Sequence, residues 1–168
     1  MADTMKLRNL IPSVGLLIVA CASGGGGSAM YQREIGNASG SDTFDRARLV
    51  INRFHYEIAE QDSIPYIRIE TYWRPRQPFA DEQALGITDA ESRIVVTARI
   101  RGESELGSIY NIRLALENRV RVAGSPDWNE TTNTPEFRQY ADGIVQNFKQ
   151  ELTNIGVRRF GGDACCAP

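Results

Sequence analysis

Three segments of the chain alternate apolar and polar residues with a period of two, the pattern of strands buried on one face. Ile67, Ile69, Thr71 and Trp73 share one side of the first, Ile94, Val96, Ala98 and Ile100 of the second, and Tyr110, Ile112, Leu114 and Leu116 of the third. A shorter segment, in which Tyr56 and Ile58 alternate with polar neighbours before Gln61-Asp62-Ser63 and Pro65, predicts a fourth strand closing a hairpin. Two segments carry the helical period instead. Ser41 or Asp42 can accept hydrogen bonds from first-turn amides, and Phe44, Ala47, Ile51 and Phe54 then recur at three-to-four spacing to about Arg53. The last helix opens with Thr134 as cap and Pro135 at its first position. It carries the stripe Phe137, Tyr140, Ala141, Ile144, Val145, Phe148, Leu152 and Ile155, and it is expected to stop at Gly156. The predicted class is α+β: an N-terminal helix, a four-stranded antiparallel sheet, and a long C-terminal helix packed on the apolar sheet face.

Ahead of this domain the pattern is different. Lys6 and Arg8 precede an apolar run from about Leu10 to Ala20, followed by Cys21 and the glycines Gly24 to Gly27. About eleven helical residues rise roughly 16 Å, well short of the ~30 Å hydrocarbon core, so the run reads as a processing signal and not a spanning helix. The alternative at this point is an ordinary secretory leader cut after Ala20 or Ala22. Leu17-Ile18-Val19-Ala20-Cys21 resembles the lipobox of bacterial lipoproteins. The resemblance implies removal of residues 1–20, a diacylglycerol thioether and an N-acyl chain on Cys21, and a membrane partner reached through that anchor. Two or three acyl chains hold a protein where one alone does so only reversibly. Ala22 and Ser23 lack the aspartate that retains such proteins at the inner membrane, so the implied location is the outer membrane, facing the periplasm. The expected division is signal 1–20, Gly/Ser-rich tether 21–40, α+β domain 41–160 and tail 161–168.

Nineteen basic against twenty-one acidic residues give no global attraction to nucleic acid, and none is expected as a partner. Cys165 and Cys166 are adjacent, so a strained bridge between them is disfavoured and no disulfide framework is expected. Catalytic motifs are missing: no Gly-x-Ser-x-Gly elbow, His-Glu-x-x-His pair or phosphate loop occurs, and the single histidine, His55, stands at a helix-to-strand junction. No catalytic residue, metal or cofactor is assigned beyond the acyl groups.

Binding chemistry is better represented. The polar sides of the strands concentrate arginine and tyrosine, and Tyr66, Arg68, Tyr72, Arg93, Arg99, Arg101 and Arg113 form the candidate binding face. Guanidinium makes forked hydrogen bonds to phosphate or carboxylate and stacks on rings, which suits an acidic glycan, a lipid headgroup or an acidic envelope protein. The competing reading is a solvated face whose arginines pair with Glu70 and Glu117. Phe79, in the long connection from Pro75 to Glu91, and Trp128, in the connection from Ala123 to Asn133, are candidate contact-loop residues.

The order of elements over residues 41–156 is similar in topology to helix-grip domains, including those of accessory lipoproteins in outer-membrane β-barrel assembly. It rests on no residue motif and transfers no binding residue. The expected function is a non-catalytic binding or scaffold module. A carrier would instead need a cavity of roughly 300 Å³ between Ile69, Val96, Leu114 and the last helix. An enzyme would need convergent carboxylates, for instance Asp81, Glu82 or Asp127. Intact-mass analysis of protein from the native host is expected to show loss of residues 1–20 and acyl chains on Cys21; a freely diffusing, unmodified chain overturns the lipobox reading.

Overall fold

The computed structural model describes residues 30–105, 107–130 and 133–160, with only the helical backbone for 155–160. The elements run β1 (Met30–Ser39), α1 (Gly40–Arg53), β2 (Ile58–Asp62), β3 (Ile67–Thr71), β4 (Arg74–Arg76), α2 (Ala80–Ala84), β5 (Ile87–Ser104), β6 (Gly107–Val122) and α3 (Pro135–Phe160). The six strands form one antiparallel sheet in the order β1-β6-β5-β3-β2, with β4 also pairing β5. Its centre is the β5–β6 hairpin, where β-branched and leucine side chains meet in register: Ile94 opposite Leu116, Val96 opposite Leu114, Ala98 opposite Ile112. Ile69 continues the Val96 row on β3. All seven are fully buried, and with Val50, Ile51, Phe137, Ile144 and Phe148 they form one core between the sheet and two helices.

The class is α+β, and the strand count is corrected from four to six. β1 and β4 are the additions. Residues 30–39, read from sequence as the end of a tether, are an edge strand on β6, with Met30 opposite Glu117 and Ser39 opposite Ile109. Only Tyr31 and Ile35 mark its buried side. A bulge between Glu34 and Gly36 interrupts the alternation, and Gly36 takes φ +154°, a value that favours glycine. α1 is therefore preceded by a strand. Its cap is Ser39, whose Oγ accepts the Asp42 amide at 3.1 Å, and not Ser41 or Asp42.

The helical layer also differs from expectation. α1 packs on β6, β5 and β1, while α3 lies beside α1 and against β1, so two helices share the apolar face. Arg53 ties them, donating to Asn147 at 2.8 Å and to Glu151 at 2.7 Å. Thr134 Oγ1 accepts the Phe137 amide at 3.3 Å and Pro135 opens α3, as the sequence predicts, but the helix runs through Gly156 to Phe160. Among the described residues no helix is long and apolar enough to cross a membrane.

The connection from Pro75 to Glu91 is not an open loop. It holds the end of β4, the helix α2 and the start of β5; α2 lies against β5 and α3, and Phe79 packs on the core. Glu82 lies at the third position of α2 and reaches back to the Phe79 amide at 2.9 Å. Its two oxygens accept both Arg76 terminal nitrogens, at 2.7 and 2.6 Å, and Arg76 also donates to Asn118 Oδ1 at 2.8 Å. Glu82 is 0% exposed. A buried carboxylate is tolerated here because every strong partner is supplied at once; removing one partner leaves an uncompensated charge. Arg76→Met is expected to lower unfolding free energy by about 3–5 kcal/mol, and Arg76→Met combined with Glu82→Leu by markedly less, as measured by urea denaturation.

Candidate functional site

Among the described residues no element covers the sheet face opposite the helices, and its side chains fall into rows set by the register. Glu34, Arg113, Thr97 and Arg68 form one row across β1, β6, β5 and β3; Gln32, Ala115, Val95 and Glu70 form the next; Glu117 and Arg93 the third. Alternation along each strand puts them opposite the core-facing Ile69, Val96 and Leu114.

Toward one end this face neutralises its own charge. Glu70 accepts hydrogen bonds from both Arg68 and Arg93, and Arg93 also pairs with Glu117. The Glu70 hydrogen bond, the largest influence on Arg68, raises its already high pKa. Arg119 Nε donates to Glu91 at 2.6 Å, and Arg121 meets Asp89 at 3.2 Å. The Arg121 and Thr88 hydrogen bonds hold the Asp89 carboxyl below its usual range. Two tryptophans are interleaved with these cations. Trp73 has Arg93 at 4.7 Å and Arg119 at 4.3 Å from its ring centre, and Trp128 has Arg119 at 4.9 Å and Arg121 at 5.0 Å. The result is the stack Arg93–Trp73–Arg119–Trp128–Arg121, in which each ring is polarised by two guanidiniums. The Val120–Asn129 bridge, with amide–carbonyl distances of 2.9 and 2.8 Å in the two directions, stitches the Trp128 loop to β6.

The sequence places Trp73 with Ile67 and Ile69, and the structure corrects this. β3 ends at Thr71, the chain crosses to pair β4 with β5, and the indole packs on the arginines of the outer face. Ile100, expected on the buried side and in unbroken register with Ile94, Val96 and Ala98, is nevertheless 59% exposed, and the ladder to β6 slips directly after it, between Ile100 and Gly102.

Toward the other end the arginines are not ion-paired, although Glu34 lies opposite Arg113 in the register. Arg99, Arg101 and Arg113 form no ion pair within 4.0 Å among the described residues. Arg99 lies 5.5 Å from the Tyr66 ring centre, Arg101 donates a long 3.4 Å hydrogen bond to Asn37, and Arg113 makes no such contact. These three side chains border an open depression of about 440 Å³ whose polar lining is Gln32, Glu34, Thr97 and Asn111. Glu34 accepts from the Asn111 amide group.

The seven candidate face residues thus separate into three sets. Arg99, Arg101 and Arg113 converge on the depression, with Tyr66 beside Arg99. Arg68 and Arg93 are committed to Glu70 and Glu117. Tyr72 lies apart, 60% exposed, in a shallow hollow with His55 and Glu57. Gln32, Glu34 and Asn37 escape the sequence reading because they belong to β1. Their only signal is the Tyr31/Ile35 spacing.

Neither contact-loop residue is a free anchor. Phe79 caps α2, half-buried between Arg76 at 4.3 Å and the Tyr140 ring at 5.8 Å, and Trp128 is half-buried in its arginine stack. Asp81 Oδ2 accepts the Glu136 amide at 2.9 Å while Glu136 accepts the Ala80 amide at 2.9 Å, a reciprocal tie between α2 and α3. Asp127 is exposed in the Trp128 loop. Cys21, Cys165 and Cys166 lie outside the described residues, as do the signal and the tail.

Two tyrosines couple the core to alkaline pH. Burial, with help from the Asp142 hydrogen bond, pushes the Tyr31 phenol up to about 12, and burial pushes Tyr56 higher still. Tyr56 shares hydrogen bonds with Ser92 at 2.7 Å and Tyr140 at 3.0 Å. Because folding raises both values above the ordinary 10, the stabilisation is complete below pH 10 and is lost as pH climbs toward the folded values. The urea midpoint is expected to fall between about pH 9 and pH 11.5, and Tyr56→Phe to flatten that fall; an unchanged slope in the variant refutes the assignment. No protein-family model matches the chain and no curated protein matches it significantly, so the geometry of the site carries the functional reading by itself.

Proposed function

We propose that this chain is a lipid-anchored module of the bacterial cell envelope that binds an acidic partner through Arg99, Arg101 and Arg113 and performs no chemistry. Cys21 is the acylation site, and the anchor places the domain on the outer membrane facing the periplasm. The observation that carries the binding assignment is the asymmetry of one sheet face. Arg68, Arg93, Arg119 and Arg121 each have a carboxylate partner, whereas the three arginines around the depression form no ion pair among the described residues. Like charges on neighbouring strands destabilise a sheet, and an external anion offsets that cost. An acidic envelope protein, glycan or lipid supplies such an anion.

The carrier reading has less support. Ile69, Val96 and Leu114 are all 0% exposed and share one cluster with Phe137, Ile144 and Phe148, which fill the space a lipid would occupy. Nor do the carboxylates favour an enzyme. Glu82 is saturated by Arg76, Asn118 and the Phe79 amide, and Asp81 holds the start of α3.

The test is affinity purification after mild crosslinking in the native host, comparing the acylated protein with Cys21→Ser and with Arg99→Glu/Arg113→Glu. The acylated form is expected to recover a defined envelope complex that Cys21→Ser reduces and the double reversal abolishes. Both replaced arginines are exposed, so the double reversal is expected to change unfolding free energy by no more than about 0.5 kcal/mol per site. A complex that survives the reversal, or a large loss of thermal stability in its place, overturns the assignment of this face.

A further inference from the structure

The chemistry around the depression is mixed, and the mixture narrows the ligand. Guanidinium supplies a planar fork matched to two oxygens of a phosphate or carboxylate. Among the described residues Arg113 donates none of its five N–H groups, Arg99 leans on Tyr66 without spending one, and Arg101 spends one on the long bond to Asn37. A site for a bare oxyanion would need nothing else. This one adds the amides of Gln32 and Asn111, the Thr97 hydroxyl and the Glu34 carboxylate on the same surface. Glu34 opposes a purely anionic ligand, yet a carboxylate is the strongest acceptor available for a ligand hydroxyl.

Size points the same way. A depression of about 440 Å³ lies within the range of small-molecule sites and is several times larger than one oxyanion. A polyanionic strand gains little from a protein whose net charge is −2.

We infer that the depression formed by Arg99, Arg101 and Arg113 with Gln32, Glu34, Thr97 and Asn111 binds an anionic saccharide, a sugar that carries a phosphate or carboxylate beside free hydroxyls. The inference rests on the reading of this face as the acidic-partner surface and specifies what it grips. The arginines hold the charge, and the amides, Thr97 and Glu34 distinguish a sugar from a simple ion.

The full chain, purified in a neutral detergent, would be titrated with glucose 1-phosphate, glucuronate, glucose and inorganic phosphate, and separately with phosphatidylglycerol vesicles, while backbone amide NMR shifts are followed. Glucose 1-phosphate or glucuronate is expected to give saturable shifts confined to the depression, with affinity roughly tenfold above glucose and above inorganic phosphate. Arg99→Gln/Arg113→Gln is expected to weaken the anionic sugar by about tenfold or more, and Gln32→Ala/Asn111→Ala to weaken the sugar while leaving inorganic phosphate unchanged. Equal affinity for inorganic phosphate and the sugar, shifts with vesicles alone, or no saturable shift overturns the saccharide assignment. If sugars fail while the charge reversal still removes the crosslinked envelope complex, the saccharide is wrong and the acidic-partner face stands. If sugars bind and the complex survives the reversal, the face is a sugar site unconnected with that complex.

Discussion

A sheet with helices on one side must protect its other side by different means. Here α1 and α3 occupy the inner face, and no described element covers the outer one. Val95 and Ala115 point outward and yet are only 4% and 6% exposed, lying in a row that ends in Glu70 and Gln32. The cover is made of long side chains: arginine carries a three-methylene stem that shields apolar surface while its head stays polar. Such a cover brings charge with it, and charge must be balanced. Glu70, Glu91, Glu117 and Asp89 provide the balance at one end, and the two indoles fill the gaps between the cations. Around the depression, where Arg99, Arg101 and Arg113 form no ion pair among the described residues, the same device is the recognition surface proposed above. Structure and proposed function on this face are two outcomes of one requirement.

The inner side meets the complementary problem at its open end. A short helix cannot bury much apolar area, so α2 is fixed by polar contacts: Glu82 to Arg76, Asn118 and its own cap, and Asp81 and Glu136 exchanging amides. Phe79 and Phe137 then flank the Arg76 guanidinium at 4.3 and 5.5 Å. The cluster gives an irregular stretch of chain one arrangement at the cost of burying charge.

Where local rules act alone, the sequence was legible. Ile67/Ile69, Ile94/Val96 and Ile112/Leu114 announced three strands, Thr134-Pro135 announced the start of α3, and Phe44 to Phe54 announced α1. The misses share a cause: each lies where long-range pairing overrides local period. β1 buries two apolar residues, four positions apart across a bulge, and pairing with the edge of β6 makes it a strand. β4 is three residues of Arg-Pro-Arg, with no apolar alternation to find, and is held by β5. Trp73 changed sides because the chain crosses there from β3 to β4, and Ile100 is exposed where the ladder to β6 begins to slip. For the candidate site, the arginines were visible but their partners were not. Which guanidiniums are neutralised depends on strand register, and register is not written in any single segment.

The unexpected first strand alters how far the domain can travel from an anchor at Cys21. With β1 beginning at Met30, eight residues separate the proposed acylation site from the fold, and the nine Cα–Cα steps stretch no further than roughly 32 Å. β1 itself, ten residues long, spans a further ~33 Å of rigid sheet. Under the proposed acylation, a leash that short would hold the module close to its bilayer, and a partner farther away would be met by the length of the protein body.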